Sequence, residues 1–144
     1  MTNPYPPDSP TGYDEDDGTM PNNVAELADN VVGHRIVSAE RAEFPSEGTK
    51  WSWGEKEGFR ITLDDGRAVW LRDTQDCCAF TYLDAFLLHP ERVDHIITGV
   101  ATTEGYTRWH IYANLGDVLE LTVGWSCGNP FFYGYGFDID VVQP

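Results

Sequence analysis

Two predicted β-hairpins constrain the fold of this chain more than any other feature. Apolar and polar residues alternate over residues 59–63, the turn Asp64-Asp65-Gly66 follows, and the apolar run at residues 68–71 resumes the strand pattern. An Asp-Gly pair suits a tight hairpin turn, because it tolerates the positive φ angles that such turns need. Residues 109–123 repeat this pattern around a turn at 114–117. Since each hairpin must bury its apolar face, the sequence predicts a mainly β fold.

The two halves of the chain also align as an internal repeat. Residues 32–36 align with 93–97 at an offset of 61 residues, and residues 59–77 align with 109–127 at an offset of 50. The second offset pairs identical residues in the turn and at the end of the segment, Gly66 with Gly116 and Cys77 with Cys127. Chance resemblance between two hairpins is the alternative explanation.

If the repeat is real, residues 33–77 and 94–127 are two similar β-units. A three-stranded unit exposes its apolar face and is not stable alone, so the units are expected to share one core as a small sandwich or barrel. The length of 144 residues suits one domain, which we place at residues 23–144. A weak helical signal at Asn22–Asn30, with Asn22 or Asn23 as the cap, predicts a short helix near the N-terminus.

Residues 1–22 are predicted to form an acidic, proline-rich tail. This segment contains five prolines and five acidic residues, and no Lys or Arg precedes Arg35. Such a composition cannot bury enough apolar surface to offset the entropy lost on ordering. A solubilising tail is therefore expected, and an acidic arm that docks on a basic partner is the alternative.

The charge and hydropathy of the chain exclude two classes of partner. Nine Lys and Arg residues stand against 24 Asp and Glu residues, which gives a formal net charge of −15. A protein of this charge repels the phosphate backbone, so no direct nucleic-acid binding is expected. No apolar stretch is long enough to span a bilayer, and the N-terminus does not resemble a signal peptide. The sequence therefore predicts a soluble protein without a membrane partner.

No motif predicts a catalytic residue, a metal or a cofactor. The three cysteines are Cys77, Cys78 and Cys127, and an odd number favours buried, unbridged thiols in a reducing compartment. No C-x-x-C or H-x-x-x-H spacing occurs, although a metal held by Cys77, Cys127 and a histidine remains an alternative. The phosphate-loop, nucleophile-elbow and zincin motifs are also absent from the sequence.

Residues 124–137 have the most unusual composition, with four glycines and six aromatic residues. Glycine lets a ligand approach the main chain, and aromatic faces stack on planar groups. We therefore predict a pocket here for a nucleobase or a sugar. The residues expected to line it are Trp109, Trp125, Ser126, Asn129, Phe132, Tyr133 and Tyr135. The alternative is a closing strand whose aromatic side chains fill the core.

Several segments together resemble a known family. They are Asp76-Cys77-Cys78, Trp109–Tyr112, Gly116-Asp117-Val118 and Ser126–Gly136. They are similar to a domain of unknown function that is common in actinobacteriophages and has a Cys-Cys pair and a C-terminal Ser-Asn-Gly-Tyr-Tyr-Gly-like run. In this chain that run is interrupted and altered. The resemblance covers residues 31–142 and implies a phage accessory protein in the cytoplasm of a bacterial host.

The expected function is binding. On this view the protein takes part in counter-defence or host takeover by sequestering a small nucleotide-like host signal. One alternative is an acidic protein-interaction module, or a DNA mimic, that docks on a host protein. Another is a minor virion component, and a homo-oligomer is compatible with each of these functions.

Overall fold

Nine strands form two antiparallel sheets in the described part of this chain. The computed structural model describes residues 4–9, 16, 18–44, 56–76, 79–128 and 135–144. Its helix α1 spans Thr19–Val31, and a short 3₁₀ helix spans Pro90–Arg92. The strands are β1 (Ile36–Phe44), β2 (Lys56–Leu63), β3 (Ala68–Arg72), β4 (Thr74–Asp76), β5 (Ala79–Leu88), β6 (Gly99–Thr103), β7 (Arg108–Ala113), β8 (Gly116–Ser126) and β9 (Asp138–Val142). The predicted mainly β fold with a short N-terminal helix is confirmed.

The two sheets bury apolar side chains in one shared core. The four-stranded sheet has the order β1-β2-β3-β9, and the five-stranded sheet has the order β4-β5-β8-β7-β6. Along β8, buried and partly exposed residues alternate from Leu119 to Ser126, as expected for a strand with one face on the core. The chain leaves β3 at Asp73 and enters β4, so consecutive strands lie in different sheets.

The strand registers have the two offsets found in the sequence alignment. Corresponding cross-strand pairs are Ile61–Val69 and Ile111–Leu119, Phe59–Leu71 and Trp109–Leu121, and Ala39–Ile61 and Val100–Ile111. Each sheet contains three consecutive strands and is extended from outside these units. One sheet gains β9 beside β3, and the other gains β5 beside β8 and then β4 beside β5. Both halves thus have the same strand order, while their origin by duplication stays a prediction.

Helix α1 packs against β6 and β9 through one face. The buried residues of this face are Met20, Asn23, Leu27 and Val31, which recur every three or four positions as in an amphipathic helix. In the part of the chain that is described, no helix is long and apolar enough to cross a membrane.

The start of α1 differs from the expected one. The helix begins at Thr19, before both predicted caps, Asn22 and Asn23. The carboxylate of Asp16 accepts hydrogen bonds from the backbone N–H groups of Gly18 (3.0 Å) and Met20 (2.9 Å). An acidic residue assigned to the tail therefore satisfies the free N–H groups of the first turn.

The described cysteine agrees with the prediction of buried, unbridged thiols. Cys127 is 2% exposed and is a free thiol. Cys77 and Cys78 lie outside the described residues, so the predictions made for them stay predictions.

Candidate functional site

Residues 4–9, called the arm from here on, lie against the five-stranded sheet. The ring of Tyr5 stacks on the imidazole of His110, with 4.2 Å between ring centroids and 19° between ring planes. Its hydroxyl donates a hydrogen bond of 2.5 Å to Asp117. A segment whose composition predicted a solubilising tail therefore docks on the domain through specific contacts.

The histidine beneath Tyr5 is held from both sides. Its Nδ1 lies 2.9 Å from Oδ2 of Asp117, and its Nε2 lies 2.9 Å from the hydroxyl of Thr103. Thr103, His110 and Asp117 belong to the adjacent strands β6, β7 and β8. Because the sheet fixes all three, the imidazole presents one face to the arm in a single orientation. Thr103, His110 and Asp117 are called the ring site from here on.

Basic and acidic side chains next to the ring site contact one another and the backbone of Asp117. Glu120 pairs with His110 across the β7–β8 ladder. Its carboxylate lies 2.7 Å from Nε2 of His89 and 3.2 Å from Nη2 of Arg108. The guanidinium of Arg92 donates a hydrogen bond of 2.9 Å to the carbonyl oxygen of Asp117. The surface next to the arm is therefore a connected polar network.

At the ring site, the Tyr5 hydroxyl is held as a proton donor and the Asp117 carboxylate as an acceptor. Burial alone would raise the pKa of Asp117, but hydrogen bonds from His110 and Tyr5 outweigh it and lower this pKa. Burial and the hydrogen bond to Asp117 both raise the pKa of Tyr5 far above its ordinary value. The site therefore holds an ionised carboxylate that accepts a proton donor from a stacked ring.

The raised pKa of Tyr5 gives a titration test of arm docking. A raised pKa means that this contact contributes stability below the ordinary pKa of tyrosine and loses it as the pH rises through the folded-state value. We expect equal phenolate absorbance at 295 nm in the wild type and in Tyr5→Phe at pH 10 to 11, because Tyr5 stays protonated there.

A solution of N-acetyltyrosinamide at the protein concentration calibrates the absorbance of one phenolate. If the wild type exceeds Tyr5→Phe by that amount, Tyr5 is not held on the ring site in solution.

A second contact of the arm is made at the turn between β6 and β7. The carboxylate of Asp8 accepts hydrogen bonds from the backbone N–H groups of Gly105 (3.0 Å) and Tyr106 (2.7 Å). Glu104, Gly105 and Tyr106 have φ angles of 57°, 68° and 62°, so this turn is left-handed at three consecutive residues. Successive N–H groups in such a turn form a concavity that binds anions, called a nest. Burial alone would raise the pKa of Asp8, but hydrogen bonds from the N–H groups of Tyr106 and Gly105 outweigh it and lower this pKa, so the bound carboxylate is ionised.

The comparison with known families gives one match. Residues 29–139 match a domain of unknown function, DUF7448. The chain belongs to the DUF7448 family. The matched range contains the ring site and the nest, and the arm lies before it. No curated protein and no solved structure matches the chain.

Both tryptophans predicted to bind a ligand are buried in this DUF7448 domain. Trp109 is fully buried, packs edge-on against Phe137 at 5.3 Å, and donates its indole N–H to the carbonyl oxygen of Tyr106 at 3.0 Å. Trp125 is 8% exposed and donates its indole N–H to the carbonyl oxygen of Gly105 at 2.8 Å. The two indoles therefore contact the nest from the side of the core.

The other predicted ligand residues lie apart from the ring site or outside the described ranges. The hydroxyl of Ser126 accepts a hydrogen bond from the N–H of Gly128. Tyr135 is 4% exposed, stacks on Trp125 and contributes to a cavity of about 220 Å³ beside the first turns of α1. Asn129, Phe132 and Tyr133 lie outside the described residues.

Sequence reasoning missed the contacts between the arm and the domain. They join Tyr5 to His110 and Asp117, and Asp8 to Gly105 and Tyr106. Strand alternation contained part of the signal, because a histidine between the core residues Trp109 and Ile111 must face the other side of its strand. No sequence pattern indicated that Tyr5 or Asp8 would reach this strand.

Two described clusters have ligand atoms close enough for a metal ion, His34 with Asp64 and Asp65, and His110 with Asp117 and Glu120. In the first cluster, Arg67 binds the carboxylate of Asp65 at 2.6 Å. In the second, Arg108 binds the carboxylate of Glu120. Because a guanidinium already neutralises a carboxylate in each cluster, both are better described as ion-pair networks than as cation sites.

Proposed function

We propose that this DUF7448 protein is a binding protein that holds a planar, proton-donating ring on its ring site and catalyses no reaction there. The observation that carries the proposal is the position of Tyr5, a planar ring stacked on His110 with its donor on Asp117. Stacked aromatic pairs contribute roughly 0.5–1.5 kcal/mol beyond the area that they bury, and hydrogen bonds to charged groups contribute about 1.5–3 kcal/mol. The arm thus stands in for a ligand of the same shape.

The ligand class that we propose is nucleotide-like. Nucleobases combine a flat face with amino or imino N–H donors at the edge, which matches a histidine face beside an ionised carboxylate. In the biological setting implied by the resemblance to phage sequences, the ligand is a host signal that the protein sequesters in the bacterial cytoplasm. We propose His110 and Asp117 as binding residues in place of Trp109 and Trp125, whose rings are buried.

Removing the Tyr5 ring tests this proposal. A docked arm lowers the fraction of protein that is free to bind, and the apparent affinity falls by the same factor. We expect Tyr5→Ala to bind at least one nucleoside of an adenosine, guanosine and cytidine panel about tenfold more tightly than the wild type does. Isothermal titration calorimetry measures both affinities.

Two further variants make this result specific. Tyr5→Ala combined with His110→Ala should lose the binding, because the stacking face is gone. Tyr82→Ala, which removes an exposed tyrosine on β5, should bind like the wild type. If Tyr5→Ala binds no nucleoside of the panel, the proposed function is wrong.

A second candidate function is that of an acidic protein-interaction module. It is favoured by the contacts of the arginines, which bind groups within the protein. Every arginine of the chain is bound by an acidic side chain or a carbonyl oxygen of the protein itself, and they are Arg35, Arg41, Arg60, Arg67, Arg72, Arg92 and Arg108. The chain has 24 acidic residues and nine basic ones, so its acids outnumber its bases by 15. On this alternative, a basic host protein binds the acidic surface of this chain. The affinity between the two proteins should then fall steeply with added salt.

A further inference from the structure

The nest is fixed from below by the two buried indoles. Trp109 donates to the carbonyl oxygen of Tyr106, and Trp125 donates to that of Gly105. Only one of the three left-handed residues is a glycine, so the surrounding structure must hold the other two in this conformation. The Gly105 carbonyl shares its peptide plane with the Tyr106 N–H and accepts from Trp125, so this N–H points the opposite way, toward the arm. The Gly105 N–H shares its plane with the Glu104 carbonyl, which accepts from the Thr107 hydroxyl at 2.7 Å, so it is oriented toward the arm as well.

The anion in the nest and the ring on the ring site belong to one short segment. Tyr5 and Asp8 are separated by Pro6 and Pro7. Each proline restricts itself and the residue before it to an extended conformation, which places the two anchors about 9 Å apart along the chain. The arm therefore presents a ring and an anion at a defined spacing to two preformed subsites.

We propose that the nest is an anion subsite and that the natural ligand carries a phosphate there in addition to its ring. This inference rests on the proposed function and narrows the ligand class from nucleosides to nucleoside phosphates. The Asp8 carboxylate then stands in for the phosphate as Tyr5 stands in for the base. A cavity of about 250 Å³ between the arm, α1 and β6 lies beside Asp8 and Tyr106 and gives room for a larger group.

To bind phosphate at the nest, the hydrogen bonds from its N–H groups must outweigh the repulsion from the negative charge of the protein. Glu104 adjoins the nest in sequence, and Asp16 acts on Tyr106 electrostatically. Charges farther away are largely screened at physiological ionic strength, where the Debye length is about 8 Å. Affinity for phosphate therefore depends on the two N–H donors, and displacement of Asp8 removes the nearest competing carboxylate.

Nuclear magnetic resonance of Asp8→Ala, titrated with inorganic phosphate at constant ionic strength, tests the anion subsite alone. We expect saturable shifts of the Gly105 and Tyr106 amide resonances. The phosphate concentration at half-saturation should be at least tenfold lower than in the wild type, because the wild-type Asp8 carboxylate fills the nest. Asp84→Ala makes the same change of charge at an exposed position on β5 and should behave like the wild type. Absence of saturable shifts in Asp8→Ala overturns the inference.

Calorimetry of the double variant Tyr5→Ala with Asp8→Ala separates the two proposals. Tighter binding of a nucleoside monophosphate than of its nucleoside supports the anion subsite. If the nucleoside and its monophosphate bind equally and phosphate shifts no amide resonance, the anion subsite is wrong and the proposed function stands. Phosphate shifts without any nucleoside binding overturn the proposed function and leave an anion site. Tighter binding of a Tyr-Pro-Pro-Asp peptide than of every nucleotide overturns the ligand class.

Discussion

Replacing Trp109 by Ala is expected to lower the free energy of unfolding by about 3–5 kcal/mol. The side chain is fully buried, so the substitution creates a cavity against Phe137 and Leu121. It also removes the indole N–H from the carbonyl oxygen of Tyr106. Urea denaturation, followed by circular dichroism, measures the loss as a fall in the unfolding midpoint.

Trp70→Ala is the matched control, because Trp70 is a tryptophan in the other sheet and is only partly buried. It should lose less stability, since less apolar area returns to water. If Trp109→Ala keeps nearly the wild-type stability and instead loses nucleoside affinity, Trp109 is a ligand residue, as its sequence context first suggested, and the core assignment is wrong.

The hairpins were predictable because their signals are local. The Asp-Gly pair predicts the turn and the alternation over residues 59–63 predicts the side-chain faces of the first strand, and Phe59 pairs with Leu71 across this hairpin. From Arg108 to Ile111 the second hairpin has the register of the first at an offset of 50 residues, as the alignment of the two halves anticipated, and a bulge between Ile111 and Tyr112 shifts the pairs nearer the turn. The two hairpins were therefore accessible before any tertiary contact was known.

The faces of the aromatic residues could be predicted only in part. Leu121, Val123 and Trp125 occupy alternate positions of β8, so strand periodicity places the Trp125 ring with the core residues. The composition of residues 124–137 suggested a stacking surface instead, because composition does not distinguish a ring that faces inward from one that faces a ligand.

The docking of the arm could not be predicted from local sequence at all. Tyr5 and Asp117 are 112 positions apart, and Asp8 and Tyr106 are 98 positions apart. Their contacts exist only after three strands have aligned Thr103, His110 and Asp117 and the indoles have fixed the turn. Low hydrophobicity correctly indicates that the arm buries little apolar area, yet charged and aromatic anchors can hold a short segment without a core of its own.

A second large loss of stability is expected for Asn23→Ala. The Asn23 side chain is 6% exposed and binds both backbone groups of Phe137, accepting from the N–H at 2.8 Å and donating to the carbonyl oxygen at 2.9 Å. It thereby holds α1 on the residue that precedes β9. Alanine leaves a buried N–H and a buried carbonyl without partners, at about 1–3 kcal/mol each, so we expect a loss of roughly 2–5 kcal/mol.

The neighbouring Asn22 provides the control, since it lies on the exposed side of the same helix turn. Asn22→Ala removes the same side chain and introduces a better helix former, so its free energy of unfolding should stay within about 0.5 kcal/mol of the wild type or rise slightly. Urea denaturation of both variants gives the comparison. Equally small effects would mean that α1 is held by Met20, Leu27 and Val31 alone. A selective loss in Asn23→Ala would instead show that one buried amide joins the N-terminal helix to the last strand and so closes the core between the two sheets.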